Sequence, residues 1–138
     1  IGGLKIATIE NIKKYWNGLI LIKSNILIVG RLNGTIAGAS QISFYPENNE
    51  AQKNISKIQS HFVAPWARGY GLAKAMIDRA LEISKENNKK SIQLDIRETQ
   101  LAAIQLFENK GFSKWGENPS YAFINGTRIK GYYYFKDL

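Results

Sequence analysis

The stretch Val63-Ala64-Pro65-Trp66-Ala67-Arg68-Gly69-Tyr70-Gly71-Leu72-Ala73 decides how the rest of the chain is read. Upstream of it, Ile55 to Val63 is a strand-like run ended by Pro65. Downstream, Leu72, Met76, Ala80 and Ile83 recur at helical spacing while Lys74, Asp78, Glu82 and Lys85 take the watery side, so a helix runs from about Gly71 to Asn87. A strand that feeds a helix through a short turn leaves unpaired N–H groups at the helix N-terminus, where the helix dipole adds partial positive charge. A pyrophosphate fits such a place. Gly69 and Gly71 lack Cβ and let the backbone approach phosphate oxygens, and Arg68 adds a charge-assisted contact. The turn is not a Walker A loop, because no Gly-Lys-Ser/Thr follows. Nor is it the three-glycine dinucleotide fingerprint, because Lys74 stands where the third glycine belongs. Two glycines alone also suit an ordinary strand-to-helix connection, so the neighbouring elements matter.

Before the turn, Ile26 to Leu32 and Thr35 to Phe44 flank Asn33-Gly34, a pair suited to the positive φ angles of a tight hairpin. Pro46 to Asn54 is a polar loop. Further upstream, Ile9, Ile12, Trp16, Leu19 and Ile20 fall at helical spacing behind a Thr8 cap, which reads as an amphipathic helix to about Lys23. No strand is recognised ahead of it, and the first residue is Ile rather than Met, so the expectation is a domain lacking its first N-terminal strand through disorder or trimming. After the turn come a strand from Ser91 to Arg97, a helix from Thr99 to Lys110 capped by Gly111, and a second hairpin, Tyr121 to Ile124 and Thr127 to Phe135, around Asn125-Gly126. Trp115 to Tyr121 reads as a turn-rich connection, or as the lining of an acceptor pocket. The order α, β, β, β, α, β, α, β, β describes one mixed α/β domain over residues 1–138, with a parallel pair made by a right-handed crossover.

Composition narrows the chemistry. The chain has 138 residues, 44% hydrophobic and 22% charged, within the range of one domain with one core. It contains no cysteine, which removes disulfides, thiolate nucleophiles and Cys-based zinc sites, and a single histidine makes a multi-His metal site improbable. No metal is therefore expected. No apolar run approaches the about 20 residues that span a bilayer, and no signal-peptide pattern opens the chain, so a cytoplasmic location without a membrane partner is the expectation. The net charge of +8 favours an anionic partner, but the basic residues are scattered from Lys5 to Lys136 rather than clustered.

Val63-x-Pro65-x-x-Arg68-Gly69-x-Gly71-x-Ala73, then the strand Leu94-Asp95-Ile96, then Ala103-Ile104-x-Leu106-Phe107-Glu108-x-x-Gly111-Phe112, resembles the GNAT family of N-acetyltransferases in order and spacing. The likeness covers about Ile26 to Leu138, with the diagnostic residues between Phe62 and Phe112. It implies a single-layer mixed sheet, mostly antiparallel with one parallel splayed pair, flanked by helices, and acetyl-CoA as co-substrate. It further implies that backbone groups near Phe62 and Val63 pair with the pantetheine arm, and that the amides of Arg68, Gly69, Tyr70, Gly71, Leu72 and Ala73 hold the pyrophosphate. Gln100 stands where the family often has an Asn that contacts the cofactor, Phe107 where it often has a Tyr beside the sulfur, and Lys57 where it often has a basic Glu. Trp66 replaces a frequent Gln or Arg.

Transfer to an amine needs a neutral lone pair, a donor for the oxyanion and a means of tolerating the departing thiolate. Phe107 cannot give a proton, and Lys57 is a poor base. The remaining candidates are His61, the one imidazole, Glu98 at a strand end, and Tyr121, preferred among the late tyrosines as the proton donor that Phe107 is not. Glu47 and Glu50 would attract a cationic acceptor. A lone strand histidine is more often packed than catalytic, and loop carboxylates are more often solvated than functional. The leading expectation is transfer from acetyl-CoA to a primary amine of a small molecule or peptide. Two alternatives stay open: a non-catalytic CoA-binding or CoA-sensing module, and a basic nucleic-acid-binding domain, which lacks a clustered basic face. Exposed edges of the C-terminal hairpin make a homodimer conceivable.

Overall fold

A computed structural model describes residues 3–10 and 24–138. The elements in chain order are β1 (Leu4–Glu10), β2 (Ser24–Leu32), β3 (Thr35–Phe44), β4 (Ile55–Val63), α1 (Leu72–Glu86), β5 (Ser91–Arg97), α2 (Leu101–Asn109), β6 (Ser113–Ile124) and β7 (Thr127–Asp137). The seven strands form one sheet in the order β1-β2-β3-β4-β5-β7-β6. Neighbours are antiparallel except β4 and β5, which are parallel. The mixed, mostly antiparallel sheet read from the sequence is the sheet observed.

Local chemistry explains both hairpins. Asn33 and Gly34 have φ of 53° and 82°, and Asn125 and Gly126 have 51° and 76°. Two successive positive angles match the right-handed twist of the flanking strands, and Asn-Gly reaches them with little strain. Between β4 and β5 the chain must cross over, since parallel neighbours cannot be joined by a tight turn. Helix α1 makes that crossover and buries Leu72, Met76, Ile77, Ala80 and Ile83 against the sheet. It touches α2, so both helices cover one face, where Ile28, Ile42, Ile58, Ile92, Leu94, Phe107 and Tyr134 form the core. The buried hydroxyls of Ser56 and Ser84 share a 2.7 Å hydrogen bond where β4 meets α1.

Paired glycines, Gly30 of β2 and Gly38 of β3, let the first turns of α1 lie close on the sheet. A Cβ on Gly38 would fall 2.7 Å from the Phe62 carbonyl oxygen and 3.1 Å from Met76 Cε. This close approach fixes where α1 begins relative to the end of β4.

Three expectations are corrected. Thr8 to Glu10 belong to β1 rather than to the start of a helix, and the first strand expected to be missing is present as β1. Alternating patterns are short there, and a run of Ile at mixed spacings fits either period. The rest of the expected first helix, residues 11–23, lies outside the described residues. Finally, the turn-rich Trp115–Tyr121 is part of β6, which starts at Ser113. Its register against β7 slips between Asn118 and Ala122, and Pro119 is tolerated because β6 is the edge strand.

Substituting Gly38→Ala should lower the unfolding free energy by about 1–3 kcal/mol, the usual cost of an overpacked core site. Urea unfolding followed by fluorescence would show a lower midpoint at unchanged slope. An unchanged midpoint would mean that the Phe62 backbone moves freely.

Candidate active site

β4 and β5 pair only through Ile55 with Ser91, Ser56 with Ile92 and Lys57 with Gln93. Beyond Lys57 the two strands separate. The cause lies on the other edge of β4: Ala39 pairs with Phe62 and Gln41 with Gln59, so two steps of β3 face three of β4. The extra residue is accommodated by Ser60 at φ 55°. Such a bulge bends its strand and reverses the alternation of side chains. Ser56 and Ile58 face the helices before the bulge, and His61 and Val63 face them after it, with the His61 ring edge-on to Phe107 at 5.5 Å.

The parting strands enclose a cleft of about 390 Å³. Its helix-side wall includes His61, Leu94, Ile96, Gln100, Ala103 and Phe107; Lys57, Gln59, Asp95, Arg97 and Tyr121 supply the polar wall. Strand alternation divides them, since Asp95 and Arg97 project from the face opposite to Ile92, Leu94 and Ile96. The Tyr121 hydroxyl donates a hydrogen bond to Asp95 Oδ2, and Lys57 Nζ lies 3.2 Å from Asp95 Oδ1. Tyr121 comes from β6, two strands away from β5, and reaches Asp95 across Gly131 of β7. A Cβ on Gly131 would fall 2.6 Å from Tyr121 Cβ and closer still to the ring.

Burial, followed by the hydrogen bond and charge of Asp95, pushes the Tyr121 phenol up to about 12, so it stays protonated at working pH. Burial also lowers His61 to about 4, leaving its imidazole neutral, and its enclosed Nδ1 has no partner among the described residues.

At the far end of β4, Pro65–Ala67 form a single 3-10 turn that leads to Gly69 at φ 86° and Gly71 at φ 79°. Ala67 is buried, while Trp66 and Tyr70 stand out in solvent. Gly71 caps α1 without a side-chain bond, and no acidic residue occupies the first turn. The Arg68 amide donates to the Pro65 carbonyl at 3.3 Å, whereas among the described residues the amides of Gly69, Tyr70 and Gly71 have no acceptor. The first amide to close a helical bond is that of Ala75, on the Gly71 carbonyl at 3.0 Å, so Leu72, Ala73 and Lys74 also present free N–H groups. A Cβ at Gly69 or Gly71 would meet nothing within 4 Å. Open space therefore lies where a phosphate group would approach. From this turn back to Lys57, the β5-facing edge of β4 has no ladder partner. That edge leads into the cleft.

Of the other residues singled out in the sequence, Gln100 and Phe107 line the cleft. Phe62 is exposed and points away from the face taken by Val63. Glu98 is turned aside, its carboxylate accepting the Lys130 amide at 2.6 Å. Glu47 and Glu50 sit in the loop before β4, 4.0 Å from Lys89 and 3.5 Å from Lys53. The residue that sequence reasoning passed over is Asp95. It occupies a polar position in the alternation Ile92-Gln93-Leu94-Asp95-Ile96, where a carboxylate is ordinary, so the strand pattern alone carries no signal for it. Among the described residues no group of three or more His, Asp or Glu gathers to hold a metal, and no helix is long and apolar enough to cross a membrane.

Comparison with known proteins bears on this arrangement. The profile of the Acetyltransferase (GNAT) family matches residues 7–112. The chain belongs to the GNAT family. An N-acetyltransferase from Azospirillum brasilense, described as uncharacterised, is 41% identical over 91 residues, covering 66% of this chain and 54% of the relative. An N-acetylaspartate synthetase from Danio rerio is 30% identical over 100 residues, 72% of this chain and 34% of that protein. The chain thus spans about half or less of the length of these curated relatives. In fold, the crystal structure of a GNAT acetyltransferase from Streptococcus pneumoniae superimposes with a TM-score of 0.75 at 23% identity, over 83% of this chain and 67% of that one. Members of the GNAT family use acetyl-CoA as co-substrate.

Because the chain has one histidine, proton NMR of the imidazole reads His61 directly. Its midpoint should fall near 4, with no titration between pH 6 and 8. A folded-state value below the unfolded one means that this contribution to stability is present above about 6.5 and lost as pH falls through the folded value. A midpoint at 6 or higher would show that the ring is solvated.

Proposed function

We propose that the protein transfers the acetyl group of acetyl-CoA to a primary amine while both substrates are bound. The observation that carries this is the unpaired edge of β4, which runs from the Gly69–Gly71 turn to a polar cleft between parting strands. The residues present fit the co-substrate. Six consecutive amides from Gly69 to Lys74 and the Arg68 charge suit a pyrophosphate. The free edge at Phe62 and Val63 suits an amide-bearing pantetheine arm, Gln100 adds a side-chain amide, and Phe107 with its apolar neighbours suits a thioester.

Acetyl-CoA supplies an acetyl group activated as a thioester: a C–N bond forms, the C–S bond breaks, and the free thiol and one proton from the ammonium are released. The chain has to hold the amine in line and take its proton. Asp95 is the group best suited to that. Its carboxylate attracts an ammonium, Tyr121 and Lys57 fix its orientation, and it faces the polar wall. Burial lowers the His61 imidazole to about 4, and its ring packs on Phe107 on the opposite wall, which makes it the less suitable group to draw in an ammonium and take its proton. Once Asp95 is protonated, the Tyr121 hydroxyl is released from it and can donate to the leaving sulfur, doing what Phe107 cannot. A second reading, a CoA-binding module without turnover, is favoured by Phe107 and Lys57 in the places of the family's usual acid and base.

Free-thiol release from acetyl-CoA over a panel of amines separates the two, since a binder would show affinity without turnover. Two substitutions test the parts. Gly69→Glu puts bulk and negative charge in the phosphate space and should weaken CoA binding at least 100-fold by calorimetry in a protein that still folds; unchanged affinity would remove the turn from the site. Asp95→Asn should lower kcat by about 10²–10⁴, the range for a lost general base, with CoA affinity retained. Full activity in that variant would send the search for the base elsewhere.

A further inference from the structure

The charged side chains of the polar wall do not balance. Lys57 and Asp95 satisfy each other at 3.2 Å, whereas Arg97, partly buried and lining the same cleft, has no carboxylate partner among the described residues. Its charge is felt at the Tyr121 hydroxyl, which brings it to the same mouth. His61 is neutral and adds nothing to the count. Two cations facing one carboxylate leave this wall positive, which disfavours a polyamine or a lysine-rich peptide. It favours an amine that brings its own anion, because a half-buried guanidinium without a counter-ion is poorly compensated.

Geometry sets the size of that ligand. Asp95 and Arg97 are two residues apart on one face of β5, about 6.6 Å at the usual rise of a strand. A molecule with its ammonium near Asp95 and a carboxylate one or two carbons away can be held between them. The guanidinium fork matches a carboxylate with two parallel hydrogen bonds, a match that lysine or an amide does not reproduce. From these observations we infer that the acceptor is an amine carrying a carboxylate, a free amino acid or a metabolite of that form, with Arg97 as the residue that selects it. The inference rests on the acetyl-transfer reading and names its second substrate.

The test measures thiol release from acetyl-CoA with L-amino acids paired against their methyl esters and their decarboxylated amines. Free acids should exceed their partners at least tenfold in kcat/KM. Arg97→Gln should erase that preference through KM, and Arg97→Lys should restore part of it, while the Kd for acetyl-CoA stays as in the wild type. Calorimetry with N-acetyl-L-amino acids gives a readout apart from turnover, with binding about tenfold weaker in Arg97→Gln. Turnover of the esters or amines as fast as the acids would overturn the assignment and leave acetyl transfer standing. So would a preference that survives Arg97→Gln, or an effect of that variant confined to acetyl-CoA affinity. Acetyl-CoA binding with no release of thiol on any member would also overturn it, and a protein that binds no acetyl-CoA would bring down both readings together.

Discussion

The rest of the structure depends on a parallel strand pair that stops pairing. Three residues of β4 meet three of β5, and after Lys57 the ladder ends. Ending a ladder inside a sheet leaves backbone donors and acceptors without protein partners, an arrangement that costs stability unless water or a ligand satisfies them. The bulge at Ser60 produces the separation, and antiparallel pairing of β4 with β3 continues on the other edge, so the gap opens without loss of the sheet. One added residue therefore yields a free edge, a cleft and a reversal of side-chain direction together.

That reversal determines which groups meet in the cleft. His61 turns to the helix side and packs on Phe107. Asp95, Lys57 and Tyr121 gather on the other side, joined through the carboxylate. Phe107 is itself wedged against Phe112, with ring centroids 5.2 Å apart, so this position serves the core and leaves acid–base work to the opposite wall. The neighbouring Glu108 is likewise engaged, accepting a 2.7 Å hydrogen bond from the buried Tyr134. Burial, and then that hydrogen bond, raise the Tyr134 phenol above its ordinary value, which keeps it a fixed donor.

The two ends of the site differ in how they were encoded. The turn at Gly69 and Gly71 is legible because glycine is the residue that enters positive φ without strain, and because a helix must start with unpaired amides whatever it packs against. The Asn-Gly hairpins are legible for a similar reason. Asp95 was on view as part of a family-like strand but carried no role, since its partners lie far along the chain. The first strand was misread because the segment around Thr8 offers apolar residues at spacings compatible with either period. The stretch Trp115–Tyr121 was misread because Gly, Asn and Pro, which usually mark turns, also suit an irregular edge strand.

By itself the sequence determined the elements whose conformation depends on neighbouring residues: two hairpins, a strand entering an amphipathic helix through a glycine turn, and a second strand and helix. The motif residues between Phe62 and Phe112 also carried the resemblance to the family, and that resemblance implied the mixed sheet. The tertiary structure alone decided that the carboxylate of Asp95 meets a phenol 26 residues away and the ammonium of Lys57. That meeting requires β7 to insert between β5 and β6, Gly131 to leave room for a ring, and β4 to part from β5. Each of these is a relation between distant segments, set by packing and strand order, and no local propensity records it.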